Sequence, residues 1–154
     1  MAKFVYRMQN ILNIKYKLEN QAKSEYAMAN GILNQEQLKL EAIYDDINKC
    51  EEKIRELNSG EFNILEMRKC GEAVEYKKNQ AELQKIVIER AQKRVERARE
   101  KLKEVMIERK THEKLKEKAY DEFLEELSAQ EDKEIDELVS FQFANRDEES
   151  NNET

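Results

Sequence analysis

Apolar residues recur at alternating steps of three and four through almost the whole chain, and the pattern is interrupted once. Nothing else in the sequence limits the fold so strongly. A sustained 3–4 repeat makes an apolar stripe along an α-helix, and the stripe has to find a partner. In the first half the repeat runs through Phe4, Met8, Ile11, Lys15, Leu18, Ala22, Tyr26, Ala29, Leu33, Glu36, Leu40, Ile43, Ile47, Cys50, Ile54 and Leu57. Two successive steps of four, Leu18 to Ala22 to Tyr26, predict a stutter there. In the second half it runs unbroken through Met67, Cys70, Val74, Lys77, Ala81, Gln84, Ile88, Ala91, Val95, Ala98, Leu102, Val105, Arg109, His112, Lys116, Ala119 and Phe123. The face then moves to Leu124, Leu127, Ile135, Leu138 and Phe141.

The single interruption is Leu57-Asn58-Ser59-Gly60-Glu61-Phe62, where Asn, Ser and Gly favour a helix stop and a turn. Asn58 or Ser59 can cap the helix that follows. Two stripes joined by a short turn predict an all-α fold, an elongated antiparallel two-helix coiled-coil hairpin. The expected organisation is a hairpin over 1–144, with a helix at about 4–57, a turn at about 58–61 and a helix at about 62–143. Residues 145–154, polar and without a repeating apolar face, are expected to form a disordered acidic tail.

Reflection through Gly60 gives facing residues whose numbers sum to about 120. Cys50 then faces Cys70, Ile47 faces Val74, Leu40 faces Ala81, and Phe4 lies near Lys116. The paired part would be ~80 Å long at 1.5 Å per residue. Gly31 falls inside the first helix, as a flexible point, a close backbone approach or a tolerated surface glycine.

Composition supports this reading. The chain has 154 residues, 40% of them charged and 39% apolar, with no Pro, no Trp and three Gly. Ala, Glu, Lys, Leu and Arg together make up about half of it, the level of coiled coils and long helices. That leaves too little apolar mass for one compact core and no room for a catalytic domain. No apolar run approaches the length of a spanning helix, and no secretory signal is seen, which together favour the cytoplasm. Two cysteines are too few for a disulfide framework and lack metal-ligand spacing. No phosphate loop, nucleophile–base pair or metal cluster stands out, so a non-enzyme without cofactors or metals is expected.

Charge is segregated. Residues 1–23 carry five Lys/Arg and one Glu, and residues 85–118 carry thirteen Lys/Arg and seven Glu. Residues 119–154 carry two Lys/Arg and thirteen Asp/Glu. Arg90, Arg94, Arg97 and Lys101 share one stripe. Either the stripe is a solvated surface with i,i+4 pairs such as Glu89–Lys93, or it docks electrostatically on a charged collar. A net charge of −6 and the lack of an aromatic stacking module argue against nucleic acid. His112, between Arg109 and Lys116, reads as a polar seam residue. Cys50 and Cys70 read as small apolar seam members whose apposition permits a disulfide under oxidation. Val5, Tyr6, Leu12 and Tyr16 either thicken the core or meet a partner. Leu138, Phe141 and Phe143 extend beyond what the first helix can cover, and a partner, a fold-back or fraying accounts for them.

The opening Phe4-Val5-Tyr6-Arg7-Met8-Gln9-Asn10-Ile11-Leu12 resembles the start of the FliJ family, small coiled-coil proteins of the flagellar type III export apparatus. The stretch from Glu113 to Phe143 is similar too, with EKLKEKAYDEFLEE, then Asp132-Lys133-Glu134-Ile135-Asp136-Glu137-Leu138-Val139, then Phe143. Gln142 departs from the Arg frequent at its place in the family. The resemblance implies a protein of flagellum biogenesis and motility, similar to the central stalk of rotary ATPases. It is expected in the cytoplasm, peripheral to the inner face of the cell membrane at the flagellar base. It implies partners: the export ATPase FliI, the export gate protein FlhA and export chaperones, but no nucleic acid and no small-molecule substrate. Partner-binding candidates are Arg7, Arg90, Arg94, Arg97, Lys101, Leu138, Phe141 and Phe143, in a chain expected to be a monomer when alone. Two other readings remain open: the central-stalk subunit of an ion-translocating rotary ATPase, and a plain coiled-coil tether or scaffold.

Overall fold

A computed structural model describes residues 2–60 and 63–152. Two α-helices account for nearly all of them, α1 over Gln9–Ser59 and α2 over Ile64–Asn152. No strand occurs among the described residues. With no Pro in the chain and glycine at only three places, nothing inside either helix removes a backbone hydrogen bond. Pairs such as Glu19–Lys23 at 3.3 Å and Glu89–Lys93 at 3.7 Å add support one turn apart.

α1 begins where the backbone amide of Gln9 donates to the Tyr6 carbonyl, 3.2 Å away, five residues later than the apolar repeat suggests. α2 begins at a different cap from the one expected. Asn63 receives the Glu66 amide on its side-chain oxygen at 3.4 Å and the Met67 amide on its carbonyl at 3.1 Å. Asn58 lies inside α1, and the Ser59 hydroxyl turns back to donate to the Glu56 carbonyl at 2.9 Å. An Asn at the N-cap satisfies the orphan amides of the first turn. At its far end α2 continues to Asn152 and takes in residues 145–152. Neither Pro nor Gly stands there to end it.

Contacts divide the chain into two units. Unit 1 comprises Met1–Tyr16 with Ile107–Thr154, and unit 2 comprises Lys17–Met106. In each, α1 and α2 pack antiparallel, because partners on α2 rise in number as those on α1 fall. In unit 2 Asp46 meets Lys77, Glu36 meets Gln84, and Glu25 meets Lys101. In unit 1 Lys15 meets Glu108, and Gln9 meets Lys116. The expected all-α antiparallel hairpin is the observed fold.

The α2 seam is as expected. All seventeen positions from Met67 to Phe123 are buried or half-buried. The α1 seam holds from Ala22 to Leu57 and differs before that. Met8, Ile11 and Leu18 are exposed, whereas Leu12 and Glu19 are buried. The true seam runs Leu12, Lys15, Glu19, Ala22, Tyr26, so the 3–4 alternation is unbroken and there is no stutter. A carboxylate occupies a core position that apolarity alone would give to Leu18. Its ion pair with Lys23 helps to offset the cost of burying it.

The register differs too. Numbers of facing partners sum to the expected 120 for Glu36–Gln84, but to 123 for Asp46–Lys77 and for Lys15–Glu108, and to 124 for Phe4–Tyr120. Phe4 therefore packs on Tyr120 and Phe123, with ring centroids at 5.2 and 5.4 Å, while Lys116 goes to Gln9. The cause is local: α1 ends at Ser59 and α2 starts at Ile64, so the point of reflection lies beyond Gly60. Gly31 is helical and faces open space where a Cβ would be, which makes it a surface glycine.

Candidate functional site

The seam explains which side chains are left for partners. Residues one place before each α2 seam position project to one flank of the helix. Tyr76, Gln80, Leu83 and Val87 stand there, and Arg90, Arg94, Arg97 and Lys101 continue the same 3–4 spacing. The basic stripe expected from the sequence is thus the continuation of an apolar one. Arg90, Arg94 and Arg97 are exposed and form no ion pair among the described residues. Lys101 is exposed but paired across unit 2 with Glu25 at 3.2 Å.

Two shallow hollows on this flank of unit 2 make up an interrupted groove. One stretch is lined by Glu25, Met28, Ala29 and Ile32 of α1 against Ala91 and Arg94 of α2. Another is lined by Lys39, Ala42 and Ile43 against Gln80, Leu83 and Val87. Met28 and Leu83 are 68% and 66% exposed, well beyond what a seam needs. Sequence reading passed over Met28, Ile32, Leu83 and Val87. The signal was present as apolar residues at seam spacing, displaced by one position.

Polar contacts across unit 2 are specific. The Gln84 amide donates to both the Glu36 carbonyl (2.9 Å) and the Glu36 carboxylate (2.6 Å). That hydrogen bond, with help from Lys39, holds the Glu36 carboxyl below its ordinary range. Arg99 lies 6.0 Å from the Tyr26 ring centroid and donates to its hydroxyl at 3.4 Å. Hydrogen bonds with Asn30 first, then Arg99, lower the Tyr26 phenol below its usual value.

Unit 1 carries the remaining candidates. Arg7 is exposed in the segment before α1 and borders a groove with Phe4, Val5, Ala119 and Phe123. Leu12 is buried, Tyr6 is half-buried and Val5 is exposed, so the residues flanking the first seam divide between core and surface. Tyr16 donates its hydroxyl to Glu113, which also takes Arg109 at 2.9 Å. Lys15 holds Glu108 at 2.9 Å, and that hydrogen bond draws the Glu108 carboxyl below its ordinary value. His112 is half-buried in the seam, and its Nδ1 is buried without a hydrogen-bond partner. Leu138, Phe141 and Phe143 are 63%, 65% and 62% exposed. Every described residue from Ser128 onward is exposed, so this end of α2 packs on nothing.

Among the described residues no group of three or more His, Cys, Asp or Glu could hold a metal ion. Cys50 and Cys70 are free, half-buried thiols. No described helix is long and apolar enough to cross a membrane.

Two long helices packed antiparallel along a 3–4 seam are the architecture of the coiled-coil proteins. The family description that matches the chain is that of the flagellar FliJ protein, over residues 4–148, and the chain belongs to that family. It is therefore a coiled-coil component of flagellar protein export, a structural part of that machinery. No curated protein and no solved structure matches it.

Proposed function

We propose that the chain is the stalk and escort of flagellar export, docking on the export ATPase FliI and the export gate protein FlhA and assisting delivery by export chaperones. It works in the cytoplasm, peripheral to the membrane at the flagellar base. The observation that carries this reading is the bare end of α2. Leu138, Phe141 and Phe143 stand in water there, although burying such a side chain stabilises by about 1.5–3 kcal/mol. A partner surface that covers them gains that energy.

Arg7, Arg90, Arg94, Arg97 and Lys101 supply the second element, a positive field that steers association and sets orientation. Three of them, Arg90, Arg94 and Arg97, have no ion pair among the described residues, so docking breaks none of theirs. The open flank beside the unit 2 seam meets the gate. Binding that differs between ring states shifts their populations, and only such a difference alters hydrolysis.

Truncation after Ala129 tests the reading. ATPase stimulation should vanish while circular dichroism stays strongly helical. Arg94→Glu with Arg97→Glu should weaken ring association, most at low salt, where exposed charges are least screened. A truncated chain that stimulates as well as the full one would overturn docking through this end, and a full chain that changes the activity of no ATPase would leave a plain tether as the better account.

A further inference from the structure

We infer that two copies of this chain pair through unlike faces, the acidic end of α2 from one copy lying in the unit 2 groove of the other. The groove presents exposed Met28 and Ile32 from α1 and Leu83 and Val87 from α2. Ala29, Ala42 and Ala91 line it between them and leave room for a third helix to approach closely. Arg94 lines it and Arg90 shares its flank, both with no ion pair among the described residues.

The same chain contains the complement. Residues 128–152 carry eight Asp/Glu and two Lys/Arg, a net charge of −6. They are helical and exposed throughout. Ile135, Leu138 and Val139 lie on one face at steps of three and four, with Phe141 and Phe143 beside them, all between 44% and 65% exposed. An acidic helix with one apolar face matches an apolar groove bordered by arginines in both respects. Like ends repel: two copies of the −6 segment side by side would set carboxylates against carboxylates. The occupant of the groove is a second copy of the chain. The pairing adds to the monomer expected from the sequence a self-associated form with the apolar end covered. If the docking reading above holds, that form keeps idle copies away from their partners.

Sedimentation of the full chain alone, over a wide concentration range, reads this directly. Association should grow with concentration and weaken with salt. Leu138→Glu with Phe141→Glu, and separately Leu83→Glu with Val87→Glu, should each weaken self-association about tenfold or more per position. All four side chains are exposed, so circular dichroism should be unchanged. The decisive measurement mixes the two variants. Each retains the face the other lacks, so the mixture should associate where neither variant does alone. A full chain that stays monomeric at every concentration overturns the inference. So does a groove variant that still self-associates, since ends would then be pairing with ends. A mixture that fails to associate overturns it as well.

Discussion

Unit 2 and unit 1 are made from the same two helices but close their seams with different chemistry. Unit 2 buries Ala22, Ile47, Val74, Ala81, Ala91 and Val95, and unit 1 buries Leu12. Around Leu12 the half-buried places go mostly to polar residues, Gln9, Lys15, Arg109, His112, Glu113 and Lys116, with apolar Phe4, Ala119 and Phe123 further along. Apolar layers supply stability without choosing a register, because one small apolar side chain packs about as well as the next. Polar layers do the reverse. Lys15–Glu108 and Gln9–Lys116 are geometrically demanding and contribute modestly. The comparison therefore assigns most of the holding to unit 2, which also aligns through Asp46–Lys77 and Glu36–Gln84, and chiefly alignment to unit 1.

The largest effect should come from a charge in the unit 2 seam. Val95→Asp buries an unpaired carboxylate and should cost about 3 kcal/mol or more. Leu12→Ala in unit 1 should cost about 2–3 kcal/mol, since a core leucine is lost. Its damage should remain local. Amide exchange should accelerate near residues 9–16 and 109–120 while amides around Ile47 and Val74 keep their protection. If Leu12→Ala lowers the melting temperature of the whole chain as far as Val95→Asp does, the division of labour is wrong.

A smaller effect sharpens the comparison from inside unit 2. Glu19 is a carboxylate at 5% exposure in an otherwise apolar stretch, with Lys23 as a one-turn partner. Buried charges are often replaced by apolar residues without loss. Glu19→Leu should therefore raise thermal stability, by about 1 kcal/mol. A clear loss of stability on calorimetry would mean that this carboxylate anchors the register, a role the comparison gives chiefly to unit 1.

Glu19 also marks the limit of what the sequence makes legible. Periodicity identified every seam position of α2 from Met67 to Phe123, because apolar and small residues predominate there. Before Ala22 the same rule fails. Leu18 is apolar and exposed, Glu19 is charged and buried, and only strict 3–4 counting back from Leu57 would have chosen correctly. The register departs from the expected one by a few residues at several pairs for a related reason. Gly60 is the most turn-like residue, yet Asn63 caps α2, and moving the pivot by a residue or two moves every facing pair by twice as much. Exposed flanks such as Met28 and Leu83 share the seam's spacing one position away, so periodicity alone does not tell them from the core. A core residue and a partner residue have the same chemistry, and only packing separates them.

The smallest expected effect is a titration that contrasts one carboxylate from each unit. Glu108 in unit 1 is held low chiefly by its hydrogen bond with Lys15, then by the charge of Lys15. Glu36 in unit 2 is held low chiefly by the neutral amide of Gln84, with Lys39 second. A carboxyl whose folded pKa lies below its unfolded value stabilises the fold above the unfolded value. That contribution is lost as pH falls through the depressed folded value. Both units should therefore loosen slightly at acid pH below the ordinary glutamate range, and neither should respond near neutrality on this account. Salt separates them. Screening weakens an exposed ion pair and leaves an amide hydrogen bond largely intact. Carboxyl carbon resonances followed by NMR should show Glu108 moving back towards its ordinary pKa as salt rises, and returning to it in Lys15→Ala. Glu36 should move less with salt and should respond to Gln84→Ala instead. Equal salt sensitivity at the two sites would mean that charge, rather than the geometry of a particular donor, dominates both, and the polar layers of unit 1 would lose their claim to set alignment.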